Sequence, residues 1–191
     1  IRTRYRVTGG KSPVLDITCE VAAALEQRLN ASGERRFRCY VGLRHWHPFI
    51  RDTYAELLKA DPDHIVGLCM APQYSSLSIG AYVKKVEEAR ADLADETPIS
   101  YVTSWHRHPL LIAAIVAHIR HTLERFPVEV RAQVSVLFTA HSLPERVVAM
   151  KDPYPEEVGA TVQAVCAQLG GQPTRFAYQS QGRSGEKWLG P

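Results

Sequence analysis

Thr139-Ala140-His141-Ser142-Leu143-Pro144-Glu145-Arg146 sets one imidazole directly after an apolar run, Val134 to Phe138, that has the pattern of a buried parallel strand. Pro144 follows closely and ends the pattern. Ligands of open α/β sheets collect outside the carboxyl ends of strands, so a histidine at that point is aimed at a cleft. Such an imidazole can take a proton near neutral pH or present a nitrogen to a metal ion. The competing expectation is a loop histidine that only hydrogen-bonds its neighbours. Position alone weighs the two evenly.

Other residues of chemical interest carry less. His45-x-His47 and His106-x-His108 have the spacing at which two side chains of an extended segment share a face. Neither pair has a cysteine or carboxylate beside it, so cleft or surface histidines are expected before a zinc site. His118 and His121 flank an apolar helical stripe and are boundary positions. Gly9-Gly10-Lys11-Ser12-Pro13 lacks the GxxxxGK[ST] spacing of a nucleotide loop and is expected to be a tight turn into a helix. Backbone amides at such a helix start favour anions, and Arg4 and Tyr5 upstream could add a cation and an aromatic face. The plain alternative is a loop and nothing more. Ser142 adjoins His141, but no GxSxG elbow exists, which disfavours a Ser-His-Asp hydrolase.

The elements that must position these groups alternate along the chain. Ile17, Val21, Leu25 and Leu29 predict a helix over 16–30, and Arg38 to Leu43 has strand character. Pro48 opens a helix whose inner face is Ile50, Tyr54, Leu57 and Leu58. His64 to Met70 is nearly continuous in apolar residues, as in a strand covered on both faces. Further helices are expected over 80–94, 109–125 and 156–169, the last ended by Gly170-Gly171. Further strands are expected over 99–104, 134–138 and 176–178. This alternation implies βαβ units and a parallel sheet, with the loops after the strands along one rim. Those loops carry His45 and His47, Gln73 to Ser75, Trp105 to His108, His141 and Ser142, and Gln179 to Gln181. The one break in the pattern is Phe126-Pro127, which suggests domains over 1–126 and 127–191.

At 191 residues, 45% hydrophobic, the chain can build a real core. A net charge of +3 from scattered lysines and arginines argues against a nucleic-acid binder. Cys19, Cys39, Cys69 and Cys166 form no CxxC pair and suit small buried positions in a reducing compartment. No run is apolar for long enough to span a bilayer, so a cytoplasmic location is expected. The chain opens on Ile1 in mid-pattern and closes on Trp188-Leu189-Gly190-Pro191, which suggests a piece of a longer protein.

Several stretches together resemble the ferrochelatase family: GGKSP (9–13), VGLRHWHPFI (41–50), APQYSSLSIGAY (71–82), SWHRHP (104–109), FTAHSLPERV (138–147), DPYPEEV (152–158) and YQSQGRSGEKWLGP (178–191). They occur in the family's order and span essentially the whole chain. The resemblance implies two Rossmann-like domains, both incomplete here, with a porphyrin cleft between them. It implies insertion of Fe2+ into a porphyrin in heme biosynthesis, with porphyrin and ferrous iron as substrates and no prosthetic group. His141 falls on the family's metal-site and catalytic histidine. Arg4, Tyr5 and Ser12 fall on its porphyrin wall, as does His106, where some relatives carry tyrosine. A second metal-site glutamate of the family has no counterpart up to Pro191, so the isolated chain is expected to be weak or inactive.

A flat porphyrin holds two N–H protons in its plane, and metal insertion must bend it and remove both. A walled cleft can supply the bend from peripheral binding. Trp105 and Tyr74 are the candidate walls, Arg4 a partner for a propionate, and His141 the proton acceptor with transient metal contact. Two other functions fit the same residues: a cobalt or nickel tetrapyrrole chelatase, and a heme or porphyrin carrier without chemistry. The choice between protoporphyrin IX and coproporphyrin III, oligomeric state, an iron–sulfur cluster and peripheral membrane contact of the longer protein are not legible in these residues.

Overall fold

The computed structural model describes residues 6, 9–31, 33, 35–182 and 185–190. Along it run α1 (Val14–Asn30), α2 (Ile50–Leu58), β1 (Ile65–Leu68), α3 (Ile79–Asp92), β2 (Ile99–Val102), α4 (Pro109–Leu123), α5 (Val128–Arg131), β3 (Val136–His141), α6 (Arg146–Ala149), α7 (Tyr154–Cys166) and β4 (Thr174–Gln179). The strands pair two by two, β1 with β2 and β3 with β4. β3 and β4 are parallel, in register from Val136 opposite Thr174 to His141 opposite Gln179. The Ile65 N–H donates to the Pro98 carbonyl at 2.8 Å and the Cys69 N–H to that of Val102 at 3.2 Å, so β1 and β2 also run in one direction. The chain is therefore α/β, with short parallel pairs.

Contacts divide it into two compact units, residues 1–65 with 82–99, and residues 66–81 with 100–191. Within the second unit α4 lays Ile112 and Val116 against Val165 of α7.

In the first unit, α1 starts two residues before the expected Asp16. Asp16 in its first turn and Arg28 in its last complement the helix dipole. None of its residues is buried, and Val14, Ile17 and Val21 remain 56%, 54% and 40% exposed. α2 buries Ile50 and Tyr54. The Tyr54 hydroxyl donates to Asp95 Oδ2 at 2.7 Å, and burial followed by that carboxylate pushes the phenol's pKa well up.

The expected strand over 38–43 is absent among the described residues. Strands need a neighbour for their ladder, and here side chains take that place. The Phe37 N–H donates to Asn30 Oδ1 at 2.8 Å, Asn30 Nδ2 donates back to the Phe37 carbonyl at 3.0 Å, and the Cys39 N–H donates to Glu26 Oε2 at 2.6 Å. The strand β1 also departs from its expectation. Its burial alternates, with Val66 55% and Leu68 41% exposed, so only one face is covered among the described residues.

The core of the second unit is Ile112, Val116 and Val165, flanked by Phe138 of β3 and by Ile115, Ile119 and Leu169. Pro109 occupies the first turn of α4, and His108 Nδ1 accepts the Leu110 N–H at 3.3 Å. Arg131 Nη2 donates to the carbonyls of Glu124 and Phe126 beyond the helix end, satisfying acceptors that the last turn leaves open. α7 carries Glu156 and Glu157 in its first turn, where a helix favours negative charge. Gly170 and Gly171, with φ of 63° and 86°, turn the chain back toward β4. Among the described residues no helix is long and apolar enough to cross a membrane.

Candidate functional site

His141 is the last residue of β3. Along this strand Val136, Phe138 and Ala140 point to the half-buried face, and Leu137, Thr139 and His141 to the exposed one. The imidazole therefore leaves the strand in its outward phase. Its Nδ1 lies 2.6 Å from the Ser142 carbonyl oxygen. A carbonyl only accepts, so Nδ1 carries a proton, and in the neutral form of the ring the lone pair falls on Nε2. An exposed, unprotonated nitrogen at a strand's carboxyl end can take a proton or meet a metal ion.

The backbone beneath the ring is held from both sides. The Tyr154 hydroxyl donates to the His141 carbonyl at 2.9 Å. The Ser142 N–H donates to the Gln179 carbonyl at 2.7 Å, and the buried Ser142 hydroxyl donates to that of Leu189 at 2.8 Å. The N–H groups of Leu189 and Glu145 close a short antiparallel strap onto Leu143 and Lys187. Ser142 is thus a structural anchor, sealed from solvent and unfit as a nucleophile. Burial pushes the Tyr154 phenol up, with Tyr178 adding to it, and keeps it protonated as a donor.

Trp105 and His106 follow β2. The indole N–H of Trp105 donates to the Cys69 carbonyl at 2.9 Å and its backbone N–H to that of Pro72 at 3.0 Å, which fixes the ring against the loop after β1. His106 Nδ1 lies 2.8 Å from Ser104 Oγ and 3.3 Å from Glu157 Oε2. Tyr74 is half-buried, and its N–H donates to the same Glu157 oxygen at 2.6 Å.

Two carboxylates that were given no role on sequence grounds organise these loops. Asp152 Oδ2 accepts from the Ser76 N–H at 2.7 Å, the Ser76 hydroxyl at 2.7 Å and the Ser75 hydroxyl at 3.2 Å. Its Oδ1 accepts the Tyr154 N–H at 3.1 Å. Burial pushes the Asp152 pKa up, but the donors from Ser76, Tyr154 and Ser75 outweigh it and hold the carboxyl below its ordinary value. Glu157 binds Tyr74, Ser104 and His106, and Thr161 receives Gln73 Nε2 at 3.0 Å. The loops after β1, β2 and β3 are gathered in this way about the first turn of α7.

The other candidates named from the sequence have their own surroundings. Ser12 belongs to the first unit, is exposed, and accepts the Val14 N–H at 3.3 Å, as a helix start requires. Arg4 and Tyr5 lie outside the described residues. His45 Nε2 accepts from Arg44 Nε at 2.8 Å. Among the described residues no three His, Cys, Asp or Glu side chains are grouped to hold a metal. A walled gap around His141 was the expectation. Among the described residues its side chain is open to solvent, and two depressions of about 550 and 280 Å3 lie in the first unit without it.

The sequence profile of the family described as Ferrochelatase matches residues 1–191. The chain belongs to the ferrochelatase family. It is 38% identical over its whole length to the ferrochelatase of Herpetosiphon aurantiacus, of which it covers 63%, and 38% identical to that of Deinococcus radiodurans, of which it covers 61%. It is 34% identical to the coproporphyrin III ferrochelatase of Listeria innocua, again over its whole length and 62% of the relative. The chain thus spans a little over three fifths of the curated relatives it matches. Within this ferrochelatase-family chain, the DPYPEEV stretch is what ties the loop of Gln73 to Ser76 and the loop of Ser104 to His106 to the helix beside His141.

Proposed function

We propose that the protein carrying this chain inserts Fe2+ into a porphyrin, with release of two protons, as a step in heme formation. One observation carries the reading: the Ser142 carbonyl holds a proton of the exposed His141 on Nδ1 at the carboxyl end of β3, so that in the neutral ring the lone pair falls on Nε2. In this reading His141 Nε2 first meets the incoming iron and, once the metal has passed to the porphyrin, accepts one pyrrole proton, while the other leaves to water. Trp105 and His106 form one part of the porphyrin wall, and Ser12 another with Arg4 and Tyr5. The work needs no prosthetic group. The whole protein completes two Rossmann-like domains, the second starting at residue 127, acts in the cytoplasm, and encloses the porphyrin with residues of both.

Anaerobic mixing of the full-length protein with Fe2+ and either protoporphyrin IX or coproporphyrin III tests this, read by the absorbance of the metallated product. Insertion into one of the two, lost in His141→Ala, is the expected result and identifies the substrate. Preference for Co2+ or Ni2+ over Fe2+, or tight porphyrin binding with no insertion, overturns it. The 191-residue chain alone is expected to be far slower than the full-length protein.

A further inference from the structure

We infer that Glu157 is a positioning residue for His106, and that the first turn of α7 thereby orders His106 and His141 from one mount. The inference rests on the porphyrin-facing role proposed above for His106.

The Glu157 side chain is 15% exposed and that of His106 22%. Glu157 Oε2 accepts the Tyr74 N–H at 2.6 Å and the Ser104 hydroxyl at 2.8 Å, and lies 3.3 Å from His106 Nδ1. A carboxylate only accepts, so the single hydroxyl proton of Ser104 points to Glu157. The Ser104 oxygen, 2.8 Å from His106 Nδ1, then accepts from the ring. Nδ1 of His106 in this way bears a proton, and in the neutral ring Nε2 bears the lone pair. The carboxylate selects both the orientation and the tautomer of the imidazole, as second-layer carboxylates do for functional histidines.

The same helix turn reaches the other imidazole. Tyr154, three residues before Glu157 and on the same side of the helix, donates to the His141 carbonyl at 2.9 Å. A staple for the loops would need only the Tyr74 and Asp152 contacts. The Ser104–Glu157 link adds nothing to such a staple that depends on how the His106 ring is turned, and this separates positioning from plain support.

The test is a double-mutant cycle in the full-length protein with Glu157→Gln and His106→Ala, read by porphyrin fluorescence quenching and by KM and kcat for iron insertion. Each single variant is expected to weaken porphyrin binding about tenfold, the factor a hydrogen bond to a charged group carries, with kcat little changed. The double variant is expected to be no worse than His106→Ala alone. Nitrogen NMR of the histidines should show His106 unprotonated at Nε2 in the wild type and as mixed tautomers in Glu157→Gln. Effects that multiply, or a tautomer that does not respond, overturn the inference. If Glu157→Gln does not fold, Ser104→Ala replaces it in the cycle under the same rule. A wild type that binds porphyrin without inserting iron sinks the proposed function and leaves the binding cycle to judge Glu157; one that binds no porphyrin sinks both.

Discussion

Tyr154 donates its phenolic hydroxyl to the main-chain carbonyl of His141 at 2.9 Å. That carbonyl closes strand β3, so the bond fixes the point from which the imidazole projects. The same tyrosine gives its N–H to Asp152, which in turn receives Ser75 and Ser76. One side chain and one backbone amide thus connect the strand end to a loop far away in sequence.

Tyr154→Phe removes this donor and keeps the ring. The chain should lose about 1 kcal/mol of stability, read as a lower urea midpoint at unchanged slope. Because burial raises the folded phenol's pKa above its ordinary value of 10.0, the wild-type contribution is fully present below that pH and lost as pH rises through the raised value. The difference between wild type and variant should shrink in that alkaline range. A difference that persists unchanged there contradicts the assignment.

His141→Ala in the full-length protein should lower the rate of iron insertion by about a hundredfold or more, the usual cost of removing a general base, while porphyrin affinity stays within about twofold. Rapid-mixing absorbance together with a fluorescence titration separates the two quantities. A rate near that of the wild type would exclude this imidazole from the chemistry.

Asp152→Asn addresses the acid side. The folded carboxyl lies below its ordinary value of 3.8, so its stabilisation is present above that pH and is lost as pH falls through the lower folded value. At neutral pH the amide should cost about 1–3 kcal/mol, because donors from Ser75 and Ser76 lose a charged acceptor. Urea titrations stepped downward from neutral pH should show the two proteins converging below about pH 4.

Ile112→Ala opens a cavity beside Val116 and Val165 in the core of the second unit. The expected loss is about 3 kcal/mol, measured by denaturant unfolding, and Val66→Ala, on an exposed face of β1, should cost well under half of that. Equal costs would place the core elsewhere.

Much of this arrangement was legible in the residues. Proline and apolar spacing marked the start of α4 at Pro109, while the Gly170-Gly171 pair marked the turn that follows α7, whose last residue is Cys166. The run before His141 announced a strand, although the strand continues to the histidine itself and turns its ring outward. The strand over 38–43 failed because its pattern says what a segment could pair with, and among the described residues its amides meet Asn30 and Glu26 instead. Asp152 and Glu157 escaped notice for a related reason. Their partners lie 76 and 83 residues away, at Ser76 and Tyr74, and no local spacing can announce such a contact. Two acidic residues at a helix start suggest only a favourable dipole.

The strap between 142–145 and 187–189 has a consequence for biogenesis. The Ser142 hydroxyl and the Leu189 carbonyl that it meets are 47 positions apart. A nascent chain that has just released β3 from the ribosome does not yet hold the acceptor of the Ser142 hydroxyl. Only when Leu189 has emerged can that bond close, so the turn that follows His141 is among the last features of this stretch to take shape during translation.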